Sequence, residues 1–111
     1  MTNTTIIIDG CQIGSNNEKI IENVAINSNH SKFSEFYTFQ SNQVNTTYFN
    51  CCLFCLKSFC FIFDFNKITK ECNMWKPKNQ DVTGYNDANI SRIFFVDNSQ
   101  HISGYYYSIR I

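Results

Sequence analysis

The sequence predicts a disulfide-stapled domain of the α+β class. Three observations carry that expectation. Six cysteines fall in a chain of 111 residues, and an even count in so short a chain favours a disulfide framework, given an oxidising compartment. Four of them, Cys51, Cys52, Cys55 and Cys60, crowd into ten residues, the first three at helical spacing. Directly after them the aromatic residues alternate with period two, the signature of a strand.

The elements read as follows. "TTIIID" (4–9) is a strand. "KIIENVAI" (19–26) fits either a strand carrying Ile21, Val24 and Ile26 or a short helix. "FSEFYTFQ" (33–40) alternates aromatics and reads as a strand. Thr46 and Thr47 are candidate helix N-caps. From there Tyr48, Cys51, Cys52 and Cys55 recur at i, i+3, i+4 and i+7, one face of a helix that ends at Lys57 and Ser58. Phe59, Phe61, Phe63 and Phe65 then alternate with Cys60, Ile62, Asp64 and Asn66, which predicts a strand. "NKITKE" (66–71) is polar enough for a hairpin connection. "CNMWK" (72–76) is the return strand, stopped by Pro77. "ISRIFFVDN" (90–98) is a further strand, after a loop marked by Gly84 and Asn86.

Two rivals to disulfides arise at the cysteine cluster. Cys52-Leu53-Phe54-Cys55 has the Cys-x-x-Cys spacing of redox pairs and zinc knuckles. A redox pair needs an accessible, low-pKa thiol in a βαβ setting, and no such setting surrounds it. A structural zinc site needs four converging ligands, usually as two spaced pairs. No second pair follows, and neither His30 nor His101 lies nearby in sequence. Disulfides are therefore the expectation, with no metal and no cofactor.

The cluster resembles the PAN/apple domain family. That family's core reads Cys-x3-Cys, a gap, Cys-x-x-Phe-x-Tyr, a turn, then Cys with an apolar residue soon after. Here Cys51 and Cys55 are followed by "SFCFIFDF" and "NKITKECNMW", with Phe65 where a tyrosine is common. "ISGYYYSIRI" (102–111) is similar to the family's closing strand. The match covers about residues 35–111 of a single domain spanning 1–111, with residues 1–34 taken as N-terminal strands. The resemblance implies an antiparallel β-sheet cradling one α-helix, with bridges Cys51–Cys72 and Cys55–Cys60. The apple subgroup's terminal bridge has no counterpart, because no cysteine closes this chain. With those pairs assigned, Cys52 is the intramolecular partner left for Cys11. The alternatives are free thiols or a link between chains.

Several functions are excluded or demoted. Lys plus Arg and Asp plus Glu are nine each, so the formal net charge is zero. No basic run tracks a nucleic-acid backbone, so no nucleic-acid partner is expected. No apolar run approaches the roughly 20 residues of a membrane span. "MTNTTIIIDG" lacks the pattern of a signal peptide, so a secreted product implies a leader already removed or lying outside this chain. Asp9, Asp64, Asp81 and Asp97 are scattered, and no spacing pairs two carboxylates for acid–base work. His30 and His101 read as solvated loop residues. No nucleophile elbow or phosphate-binding loop occurs, so the chain is not expected to be an enzyme.

What remains is surface. Asn3, Asn29, Asn45 and Asn89 head Asn-x-Ser/Thr sequons and are glycosylation candidates. Asparagine is abundant throughout, as an AT-rich coding sequence would produce, and Asn45 competes with the helix cap. Phe49, Leu53 and Phe54 lie partly off the cysteine face. Tyr105, Tyr106 and Tyr107 must expose at least one ring if they form a strand. These six form the expected partner surface. The expected function is an extracellular recognition or adhesion module for a carbohydrate or a protein. The alternative is a self-assembling subunit of a glycosylated extracellular coat or filament.

Overall fold

The computed structural model of the protein describes residues 11–13, 20–78 and 94–105. Their elements are β1 (Ile20–Ile26), α1 (Phe33–Phe36), β2 (Tyr37–Gln43), α2 (Tyr48–Lys57), β3 (Ile62–Asn66), β4 (Glu71–Pro77) and β5 (Phe95–Tyr105). The strands form one five-stranded sheet in the order β1-β5-β3-β4-β2. Every neighbouring pair is antiparallel. The class is α+β with three disulfides, as expected, though with two helices rather than one.

Helix α2 starts where the cap residues predict. Thr47 is the N-cap, and its Oγ1 accepts from the Asn50 amide at 3.1 Å. Cys51, Cys52 and Cys55 all face inward and are at most 1% exposed. The bridges join Cys51 to Cys72 of β4, Cys55 to Cys60 ahead of β3, and Cys52 to Cys11, with Cα separations of 5.7, 4.9 and 5.9 Å. All three distances lie within the normal range for a disulfide. The adjacent cysteines Cys51 and Cys52 point about 100° apart on the helix. One therefore reaches the sheet and the other reaches the N-terminal segment. The Tyr48 hydroxyl also donates to the carbonyl of Cys11.

The sheet buries a different core on each face. Residues directly opposite one another in a ladder share a face. Phe63 pairs with Met74, and Phe65 with both Cys72 and Ile102. These side chains meet the cysteines of α2, together with Ile20, in one buried cluster. Ile62 pairs with Trp75 and Tyr105 on the other face. There Phe33, Tyr37, Phe61, Phe94 and Ile26 complete a second, aromatic cluster. β3 is thus central and buried on both sides, which explains its near-continuous apolar sequence.

Three expectations need correction, and one open alternative is decided. Residues 33–36 are a helical turn, not a strand: Phe33, Phe36 and Tyr37 stand at i, i+3 and i+4, and Phe33 packs edge-on against Trp75 and Phe94. The ambiguous segment 20–26 is a strand, with a register shift between Glu22 and Val24 around Asn23, whose φ is 71°. The segments read as separate strands at 90–98 and 102–111 contribute to one strand, β5. The strand expected from Phe59 begins only at Ile62. Residues 4–9 lie outside the described residues.

The late start of β3 has a specific cause. The Cys60 amide donates to the Cys55 carbonyl at 3.0 Å and the Phe59 amide to the Leu56 carbonyl at 3.4 Å. That pair of bonds is the Schellman end of a helix, in which the residue after the C-cap is left-handed and usually glycine. Here that residue is Phe59, at φ 58° and 71% exposed. The Cys55–Cys60 bridge joins the two positions that an apolar contact usually joins in this motif. Left-handed backbone disfavours a side chain with a Cβ. The Phe59→Gly variant is therefore expected to gain about 1 kcal/mol of stability, read from chemical denaturation under non-reducing conditions. A loss of stability would mean that the exposed ring packs in a way its exposure denies.

Candidate functional site

An aromatic surface open to solvent lies on the face away from α2, at the β2–β4 edge. Phe39 is opposite Trp75 in the ladder. Their rings meet edge-to-face at 6.1 Å. Phe39 is 54% exposed, while Trp75 is half-buried with its other contact on Phe33. Asn42 and Asn73 stand opposite one another along the same ladder, and the Asn42 amide donates to Asn73 Oδ1 at 2.8 Å. Trp75 and Asn73 are two residues apart on β4, so the two pairs share a face at a spacing of about 7 Å.

That shared face depends on a bulge. The register shifts between Phe39 and Ser41, making Gln40 the extra residue. A regular strand would put Phe39 and Asn42 on opposite faces, because side chains alternate. The bulge moves Asn42 to the aromatic side and Ser41 towards Met74, where its hydroxyl meets Met74 Sδ at 3.9 Å. Gln40 fixes the distortion by donating from Nε2 to the Ser58 carbonyl at 3.1 Å. The end of α2 thereby holds the edge of the sheet in shape.

A second polar group lies further along the same face, buried. Asp64 on β3 is 6% exposed. Its Oδ2 accepts from the Ile26 amide at 2.7 Å, and its Oδ1 lies 2.5 Å from His101 Nδ1. His101 Nε2 faces the Asn66 side-chain amide at 3.4 Å. Burial raises the Asp64 carboxyl above its ordinary value, against the pull of the hydrogen bonds from Ile26 and His101. The histidine read as a solvated loop residue is therefore a structural partner on β5. His30 is also engaged: its Nδ1 accepts from the Lys32 amide at 3.0 Å and its ring meets Phe94 edge-on. The Asp64–His101 pair and the His30–Phe94 contact could not be read locally, since the partners are far apart in sequence.

The expected partner surface is divided by the fold. Phe49 and Phe54 are 52% and 41% exposed. They stand about 140° apart on α2, so they do not form one patch. Leu53 packs partly against the disulfide core instead. Tyr105 is a correction: it is 3% exposed and belongs to the aromatic cluster behind the sheet, because its position opposite Ile62 turns it inward. Tyr106 and Tyr107 lie outside the described residues. The pairing of Phe39 with Trp75 and the placing of Asn42 beside them were missed, since a bulge leaves no mark in a hydrophobic pattern. Among the described residues no group of three or more His, Cys, Asp or Glu is placed to hold a metal, and no helix is long and apolar enough to cross a membrane.

Comparison with protein-family models, with curated proteins and with solved structures found no match. Its described residues form a small antiparallel sheet, two short helices and three bridges.

The sequons differ in their settings. Asn29 and Ser31 are both exposed in the turn between β1 and α1. Asn45 is also exposed, but its φ is 56° and the hydroxyl of Thr47 in its sequon is committed to the α2 cap. Asn3 and Asn89 lie outside the described residues. Expression through a eukaryotic secretory pathway is expected to give glycan on Asn29 and none on Asn45, read by peptide mass mapping. Glycan on Asn45 alone would refute the argument from the cap.

Proposed function

We propose that the protein is an extracellular, non-enzymatic recognition module whose ligand surface is the Phe39–Trp75 and Asn42–Asn73 patch. The observation that carries the reading is an exposed Phe39 against a half-buried Trp75, beside a pair of side-chain amides, on a sheet bridged to α2. A carbohydrate matches this chemistry. Its C–H faces pack on aromatic rings, and its hydroxyls bond amide oxygens and nitrogens in either sense. A protein ligand is the other match, since exposed aromatics beside polar groups also typify protein interfaces. The resemblance to PAN/apple domains points the same way. The disulfides imply an oxidising compartment, which fits a secreted protein.

Self-assembly is the second reading. It draws on the exposed rings of Phe49, Phe54 and Phe59, since apolar surface of this kind favours association. A covalent filament through Cys11 is not supported, because Cys11 is bonded to Cys52 within the chain.

A glycan array probed with the purified, oxidised protein tests the first reading. Binding is expected, and Phe39→Ala is expected to weaken it at least about tenfold, the scale of a buried aromatic contact, while leaving the melting temperature nearly unchanged. Binding that survives Phe39→Ala would move the site elsewhere. A large species on size-exclusion chromatography, with no glycan bound, would put assembly ahead.

A further inference from the structure

The sheet is not regular where β1 and β5 meet. Glu22 lies opposite Ile102, but Val24 lies opposite Asp97. Residues 98–101 of β5 therefore stand against Asn23 alone. The ladder resumes with Val24–Ile26 against Phe95–Asp97. This outer piece folds over the face of β3 away from α2, since Ile26 and Phe95 join the aromatic cluster there and the Ile26 amide reaches Asp64.

Two sets of contacts hold the fold-over. The corner after β3 takes the irregular loop: the Lys67 amide donates to the Gln100 carbonyl at 2.7 Å, and Lys67 Nζ lies 3.2 Å from Glu22 Oε2 and 3.4 Å from Asn23 Oδ1. Beneath the bend, one carboxylate serves both strands. Asp64 accepts from Ile26 of β1 and pairs with His101 of β5. Ser103 adds a bond from its hydroxyl to the Val24 carbonyl at 3.0 Å.

We infer that Asp64 and His101 form a pH-sensitive latch that holds the Val24–Ile26 and Phe95–Asp97 flap onto the sheet. The latch guards an apolar surface. Ile26 and Phe95 of the flap pack in one cluster with Phe33, Tyr37, Phe61 and Phe94, so a lifted flap uncovers aromatic rings. The other charged groups at this corner are Glu22 of β1, Lys67 and Lys70 of the turn, Glu71 of β4 opposite Asn66, and Asp97 of β5 opposite Val24. His30, Lys32 and Glu35 follow on the segment after Ile26. Lys67 is engaged with Glu22, whereas Asp64 has His101.

The direction of the effect follows from linkage. The folded chain holds a proton on Asp64 more readily than the unfolded chain does. A group raised in this way adds stability below its unfolded value, near pH 3.9, and loses that contribution as pH rises through the folded value. The latch is tightest in acid and slackens as the buried carboxylate ionises. His101 opposes the slackening, because its contacts favour the ionised form.

Amide hydrogen exchange across pH 4 to 8, corrected for intrinsic rates, tests the latch on the full oxidised chain. Protection of Ile26 relative to the amides of β3 is expected to fall with rising pH. Asp64→Asn keeps an acceptor for Ile26 without a charge, so its protection is expected to be flat across the range. His101→Gln keeps a neutral donor, and the fall is expected to shift to higher pH. Flat protection in the unaltered chain would overturn the inference. So would an identical fall in Asp64→Asn, or an unmoved midpoint in His101→Gln should the first variant not fold.

Discussion

Everything in this fold leans on three sulfur atoms of one short helix. Cys51, Cys52 and Cys55 occupy the inner face of α2, and each leaves in a different direction. One bridge ties the helix to β4, one ties its end to the start of β3, and one ties it to the N-terminal segment. A helix of 10 residues is too short to be stable alone. The bridges and the phenylalanines of β3 supply what its length does not. The sheet in turn is held beneath the helix rather than merely stacked against it.

The central part of this arrangement was legible in the sequence because its signals are local. Helical spacing of cysteines, a threonine cap, alternating aromatics and a polar turn all act within a few residues. The bridges followed from spacing and a family resemblance. What stayed hidden was non-local or irregular. The aromatic pattern at 33–37 fits a strand as well as a helical turn, and only packing against Trp75 and Phe94 decides between them. The bulge at Gln40 and the fold-over at Asn23 each shift a register, and a shifted register reassigns faces without altering composition. The Asp64–His101 pair lay beyond any window.

Phe59 shows how the same segment serves two demands. A Schellman helix end favours glycine at its position, yet the chain places a large exposed ring there. The turn itself survives because the Cys55–Cys60 bridge and two backbone bonds over-determine its geometry. A covalent lock relaxes the local requirement on residue type. Rings exposed in this way belong to the outer surface, where Phe39 and Phe49 also stand.

The neighbouring pair Cys51–Cys52 has a consequence for how the oxidised chain is reached. The three correct bridges span 5, 21 and 41 residues, and closing a longer loop is entropically harder, though only slowly so. In a flexible chain Cys51 and Cys52 are nearly equivalent as partners for either Cys72 or Cys11. Exchanging them alters each loop by a single residue, so loop length cannot tell right from wrong. Only a formed helix makes the two sulfurs point apart. The formed helix is thus what distinguishes the two sulfurs, and a bond closed without it carries no preference for the right partner.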